Sequence, residues 1–432
     1  MHSRRIFSLI NHASFVSIII ALFWVSLNPL YAQDWAKSNI KERQRVDLRD
    51  LGYPDVSVIS SNSSAITSLI TARSTGKIYG ATSGDQSYLF MFDPVTNKVT
   101  QLGKIAKEKG AHHSLVEGQD SCIYIGTGMN MFDEIPISKA IDQPVDKSLW
   151  KDIKSYFEKS KGGHLYKYDP KSSDAIVKFP EMQCELEDLG IPLANNSIYA
   201  LTINSERNEI YGITYPDGHF FIYNIKRKKF TDIGPIDKEI VFHGPTRYWR
   251  SLPGALICDD SGKVFMSGTD GNIQYYDPRV KQIITTDLKI PGDYNYIQFY
   301  SDYTVVEYFA RSTSGLIYGG TSDGYLFSLS TTSMELVNLG KVRASRRLRC
   351  LTVGPNGKVY LMAGERSASR PCQFYCYDPQ IGGFKDLGLL IVDRSPYYYW
   401  RGQQFDAMTT GKDGTIYFGE SERLSHLFLY IP

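Results

Sequence analysis

Leu316–Gly340 reads LIYGGTSDGYLFSLSTTSMELVNLG, and its pattern decides the fold. Leu316–Gly320 is an apolar, β-branched and aromatic run, and Thr321–Gly324 is a turn rich in Gly, Asp and Ser. Tyr325–Leu329 then alternates, and Thr331–Ser333 turns into a further strand ending at Leu339-Gly340. Short strands separated by turn residues are the signature of hairpins.

The pattern recurs. The second-strand signature appears at Lys77-Ile78-Tyr79-Gly80, Cys122-Ile123-Tyr124, Glu209-Ile210-Tyr211-Gly212, Lys263-Val264-Phe265, Leu316-Ile317-Tyr318-Gly319, Lys358-Val359-Tyr360 and Thr415-Ile416-Tyr417. The third strand follows as YLFMFDP, HLYKYDP, HFFIYN, NIQYYDP, YLFSLS, QFYCYDP and HLFLYIP. Its Asp-Pro ending suits a turn, because Asp caps it and Pro fixes the next φ. Fourth strands end at Gly103, Gly190, Gly234, Gly340 and Gly388, whereas the fourth copy ends Leu288-Lys289. The seventh copy reaches Pro432 before a fourth strand, and Arg45–Gly52 (RVDLRDLG) supplies the missing pattern. Seven such copies predict an all-β chain folded as a seven-bladed β-propeller. The N-terminal strand is expected to complete the last blade and cover an otherwise exposed edge.

The formal charge of +2 gives no reason to expect nucleic acid as a partner. Aromatics make up 13% of the residues, with thirty Tyr, which suits strands and a sugar-binding surface alike. Residues 1–32 read as a cleaved signal peptide. Arg4 and Arg5 precede the apolar run Val16–Leu27, and Leu30-Tyr31-Ala32 offers a cleavage site before Gln33. The run is short for a span of about 20 residues. Ser3-Arg4-Arg5-Ile6-Phe7 hints at a twin-arginine signal, but its apolar run starts far downstream. The expectation is a periplasmic or secreted propeller over 33–432, monomeric and off the membrane once processed.

All six cysteines lie in this exported part, at scattered positions within strand patterns, and read as buried apolar residues. Cys372 and Cys376 share a strand face and would supply half of a metal site. No further metal ligand is identified. The second copy carries an insertion from Asn130 to about Lys161. Trp150, Ile153, Tyr156 and Phe157 recur there at helical spacing, predicting a helix over Lys147–Lys159.

In a propeller, the loops from strand two to three and from strand four to the next blade open on one face. First-strand entrances on that face carry His112, His113, Asn195, Asn196, Tyr199, Arg347 and Arg349. Upstream of two further first strands stand Tyr248-Trp249-Arg250 and Tyr399-Trp400-Arg401. Third-strand entrances carry His164, His219 and His426, with Tyr215 nearby. Of eight histidines, six lie beyond the leader and five of these map to the rim; His243 leads to Arg250.

Arg holds carboxylate or sulfate, Trp and Tyr stack on sugar rings, and His exchanges protons near neutrality. These are the parts that β-elimination on a uronic acid needs: a cation on the carboxylate, a base and an acid. Glycoside hydrolysis wants two facing carboxylates, and no recurrent acidic pair is evident on this rim. Over roughly residues 45–432 the chain resembles the seven-bladed-propeller polysaccharide lyases that cleave ulvan. The resemblance implies His113 and His164 as paired histidines, with Tyr215 and Arg250 as the Tyr and the carboxylate-neutralising Arg. Around them His112, Asn196, Tyr199, His219, Tyr248, Trp249, Arg349, Arg401 and His426 are expected to bind an anionic polysaccharide. It also implies a structural zinc, for which no ligands can be aligned, and no catalytic cofactor.

Plainer readings apply to the same residues. His219 and His426 can cap strands, Arg can stack on Trp in the repeated tripeptide, and Arg346, Arg347 and Arg349 can be solvated surface. Two other functional classes fit a propeller: a non-catalytic glycan- or protein-binding module, and a metal-dependent hydrolase with carboxylate and Asn ligands on the axis.

Overall fold

The computed structural model describes residues 40–47, 61–130, 154–171, 183–237, 252–268, 270–293, 304–342, 347–364, 372–395, 398–421 and 425–432. Seven four-stranded antiparallel sheets follow one another along these residues, as the repeat predicts. Blade one consists of Ala65–Thr71, Ile78–Ser83, Tyr88–Asp93 and Lys98–Lys104, and blade five of Val306–Arg311, Ile317–Thr321, Tyr325–Ser330 and Glu335–Lys341. Inner strands are buried while fourth strands such as Glu335–Lys341 are half exposed, which fixes the core between neighbouring blades. One apolar cluster joins Ile66, Leu69 and Phe90 of blade one to Ala407, Tyr417 and Leu427 of blade seven, so the first and last blades pack together.

The repeated residues have definite local work. The glycine after the second-strand tyrosine leaves room for a third-strand aromatic: a side chain at Gly80, Gly212 or Gly319 would collide with Phe90, Phe221 or Phe327. The Asp of each Asp-Pro ending accepts a backbone N–H two residues on, at 2.9 Å for Asp93 to Val95 and 2.8 Å for Asp277 to Arg279. The Leu/Ile-Gly endings mark bulges. Gly190, Gly234, Gly340 and Gly388 have φ between 89° and 108°, which favours glycine. Their N–H groups donate to the side chains of Asp188, Asp232, Asn338 and Asp386 at 2.8–2.9 Å.

The fourth place in the last sheet is taken by Ile40–Asp47, antiparallel to His426–Tyr430. This strand begins five residues before the predicted Arg45–Gly52, whose positions 48–52 lie outside the described residues. The predicted helix is described only as one turn over 154–157. A hairpin of Ile391–Ser395 and Tyr398–Arg401 connects blades six and seven, and it contains the second Tyr-Trp-Arg tripeptide.

Candidate active site

The first strands of five blades each carry a bulge at the same register. It selects Thr67, Tyr199, Glu307, Arg349 and Asp406. A bulge re-aims the side chain it carries, and here these residues meet one another or their neighbours near the mouth of the axis. Arg349 Nη2 donates to both carboxylate oxygens of Asp406, at 2.5 and 2.7 Å, with both side chains buried. Gln404 and Ser421 also donate to that carboxylate, at 2.9 and 2.5 Å. Arg347 clamps Glu307 with two hydrogen bonds of 3.1 and 3.0 Å. Arg349 is therefore the buried half of an ion pair, not a solvated or substrate-facing cation.

His113 belongs to the same mouth. Its Nδ1 faces the carbonyl oxygen of Gly254 and its Nε2 that of Asp406, each at 2.8 Å. Its ring packs edge-on against Tyr308 and stacks on His112 at 4.1 Å, and His112 in turn stacks on Tyr199 at 4.8 Å. Tyr199 and Tyr215 are in contact and buried, and Phe157 of the insertion lies edge-on to Tyr215 at 5.3 Å. Asn196 is likewise buried, donating to Asp217 at 2.9 Å. Lys154 pairs with the same Asp217 at 2.6 Å, which docks the insertion onto blade three. Five of the expected rim residues, His112, Asn196, Tyr199, Tyr215 and Arg349, thus hold the blade entrances together.

His164 and His219 remain partly exposed, with side chains 27% and 26% accessible. Each opens a third strand and pairs through Nδ1 with the carboxylate of the fourth-strand bulge: His164 with Asp188 at 2.9 Å, His219 with Asp232 at 2.9 Å. His426 opens the third strand of blade seven but pairs inward with Glu420 at 2.8 Å, both fully buried. His164 does not meet His113; their partners are different. Arg401 is half-buried at the end of the connecting hairpin. Tyr248, Trp249 and Arg250 lie outside the described residues.

Among the described residues His164 and His219 each have a second carboxylate near them, Glu108 and Asp217, and of these two Glu108 alone is raised. Glu108 is on the connection entering blade two, where Tyr166 donates to its Oε1 at 3.3 Å. Burial pushes the Glu108 carboxyl up to about 7, although His164, Thr127 and Tyr166 pull against that shift. The Tyr166 hydroxyl is pushed up by burial and by Glu108, and its ring stacks with His164 at 5.5 Å. Glu108, His164, Asp188 and Tyr166 therefore form one cluster of interacting titratable groups. The rim is also richer in carboxylates than the sequence reading allowed, since Glu108 and Asp188 flank one histidine. The available signal was position: Glu108 stands four residues before His112, in a connection already assigned to that face.

Among the described residues no group of three or more His, Cys, Asp and Glu side chains is arranged to hold a metal ion. The six cysteines form no disulfide with one another, and Cys372 and Cys376 lie in one apolar cluster. Burial pushes the Cys376 thiol up, away from the thiolate that a metal requires.

No protein-family model and no curated protein matches the chain. Solved structures do resemble it. A streptogramin B lyase superposes with a TM-score of 0.57 at 12% identity, covering 92% of this chain and 99% of its own. A catalytically inactive virginiamycin B lyase from Staphylococcus aureus with quinupristin gives 0.55 at 10% identity, covering 87% and 97%. The extracellular domain of a putative one component system from B. thetaiotaomicron gives 0.53 at 11% identity, covering 91% of this chain and 40% of that one. At these identities the likeness is one of fold. It extends to proteins named as lyases and not specifically to ulvan lyases. Among the described residues no helix is long and apolar enough to cross a membrane.

Proposed function

We propose that this protein is an exported carbon–oxygen lyase that cleaves uronate-bearing, sulfated polysaccharide by β-elimination. The observation that carries the reading is the Glu108–His164–Asp188 cluster, in which a histidine fixed by one carboxylate lies beside a second whose pKa is about 7. An acid and a base with opposed preferences, side by side, suit proton transfer at neutral pH. His164 Nδ1 is engaged by Asp188, so Nε2 is the basic nitrogen. It removes the proton α to the uronate carboxylate. The C–H electrons become the new C=C bond as the glycosidic C–O bond breaks, and the Glu108 carboxyl protonates the departing oxygen. Arg250, in the connection entering blade four, is the cation assigned to the substrate carboxylate.

The test is to incubate the processed chain, starting near Gln33, with a panel of uronate polysaccharides and follow absorbance of the unsaturated product. Absorbance growth that disappears in His164→Ala supports the assignment; growth unchanged in that variant removes it.

A second reading has its own observation. His219 and Asp232 reproduce the His164–Asp188 geometry, but the acid near them, Asp217, is held below its usual range, against the upward push of burial, by Asn196 and Lys154, as expected of a repeated binding or capping device. A protein that binds a uronate polymer tightly and never cleaves it would be a glycan-binding propeller.

A further inference from the structure

The face opposite the histidine rim carries a groove of about 760 Å³ between blades four and five. Its walls are the turns joining strands one to two and three to four of both blades. Three cations line it. Arg311 is ion-paired with Asp260, and its buried Nε has no acceptor among the described residues. Lys263 rests over the ring of Tyr275 at 4.6 Å with no carboxylate partner, and Arg279 stands exposed with its side chain unpaired among the described residues. The second acid, Asp259, is buried and committed to Ser261 and to the Lys263 backbone N–H, at 2.8 and 2.9 Å. Both donors are neutral and meet its Oδ1, so the carboxylate is held in place but keeps its charge. Three cations thus stand against two acids, which leaves the lining with an excess of positive charge alongside the hydroxyls of Thr331 and Thr332.

We infer that this groove is a second binding site, for an acidic oligosaccharide. The cations match carboxylate or sulfate, and the hydroxyl wall matches the hydroxyls of a sugar chain. A polar lining of this kind offers little to an apolar ligand. The inference goes beyond the elimination chemistry, since a propeller that only binds glycans would use the groove equally well.

Calorimetric titration of the full processed chain tests it, made in a Glu108→Gln background so that no chain is cut. The probes are an oligogalacturonate, a neutral dextran oligomer of similar length, and inorganic sulfate. The expected result is an oligogalacturonate binding phase that weakens at least tenfold in Lys263→Gln/Arg279→Gln, with the unfolding midpoint unchanged. Dextran should give no such phase, and sulfate should bind far more weakly than the oligomer. An undiminished phase in the double variant, no phase at all, or sulfate binding as tightly as the oligomer would each overturn the assignment. Since binding is read without turnover, a failed elimination assay leaves this result intact, and the converse also holds.

Discussion

His113 Nε2 lies 2.8 Å from the carbonyl oxygen of Asp406, a residue 293 positions away in the chain. The other ring nitrogen faces Gly254, so one imidazole at the entrance of blade two ties in blades four and seven. A neutral ring donates to one of these carbonyls, and an imidazolium donates to both. His113→Ala is therefore expected to destabilise the fold, because a buried unpaired carbonyl costs about 1–3 kcal/mol. Urea denaturation checks this; a variant as stable as the parent would return His113 to the list of free rim groups.

Arg349→Ala should be more damaging. Removing one partner of a buried ion pair costs about 3–5 kcal/mol, because Asp406 is left charged and buried. Replacing both residues by apolar ones of similar volume should restore most of the loss. A loss in the single variant well under 1 kcal/mol would show that the pair is wet.

Glu108 makes stability depend on pH. Its carboxyl is raised from 4.5 to about 7 in the folded chain, so folding favours the protonated form. That contribution is complete below about 4.5 and is lost as pH rises through 7. Glu108→Gln should match the parent near pH 4 and exceed its stability above pH 7, by on the order of 2 kcal/mol after discounting partial exposure. Thermal melts across pH 4–8 measure it. Parallel curves for the two proteins would refute the shift.

Asp188→Asn and Asp232→Asn separate chemistry from architecture. Asn338 already accepts the bulge N–H of Gly340 at 2.9 Å, so either substitution keeps the bulge while removing the charge beside its histidine. Both variants should fold with losses under about 1 kcal/mol. Elimination should fall by about 10²–10⁴ only in Asp188→Asn. Equal losses of turnover in both, or in neither, would dissociate the blade-two cluster from the reaction.

Deleting residues 33–52 removes the strand Ile40–Asp47, which pairs with His426–Tyr430. The exposed edge should then cause association and a large drop in unfolding midpoint. Light scattering and melting together read this out. A truncated chain that stays monomeric and equally stable would mean that the blade needs only three strands.

The sequence carried the blade pattern because every copy buries the same faces, so Gly80, Gly212 and Gly319 recur before the aromatics they admit. Which polar residues face solvent was less legible. Tyr215 and Asn196 look like rim groups in one dimension, yet Phe157 and Asp217 cover or engage them. One clue was readable. Aligning first strands puts Glu307, Arg349 and Asp406 at a single register in successive blades, an acid–base–acid series that implies pairing across blades. The raised carboxyl of Glu108 had no such signature, because burial by blade two creates it.

The bulge carboxylate has a consequence for how such sites arise. It stands opposite the residue that opens the third strand, so one histidine at that opening completes a couple without moving backbone. Blade six has Asp386 in place, holding Gly388 at 2.8 Å, and Gln373 at the opening. A single Gln373→His change would furnish that blade with its own couple. Blade six thus keeps the carboxylate half of such a couple in place, one substitution away from a further histidine–carboxylate pair.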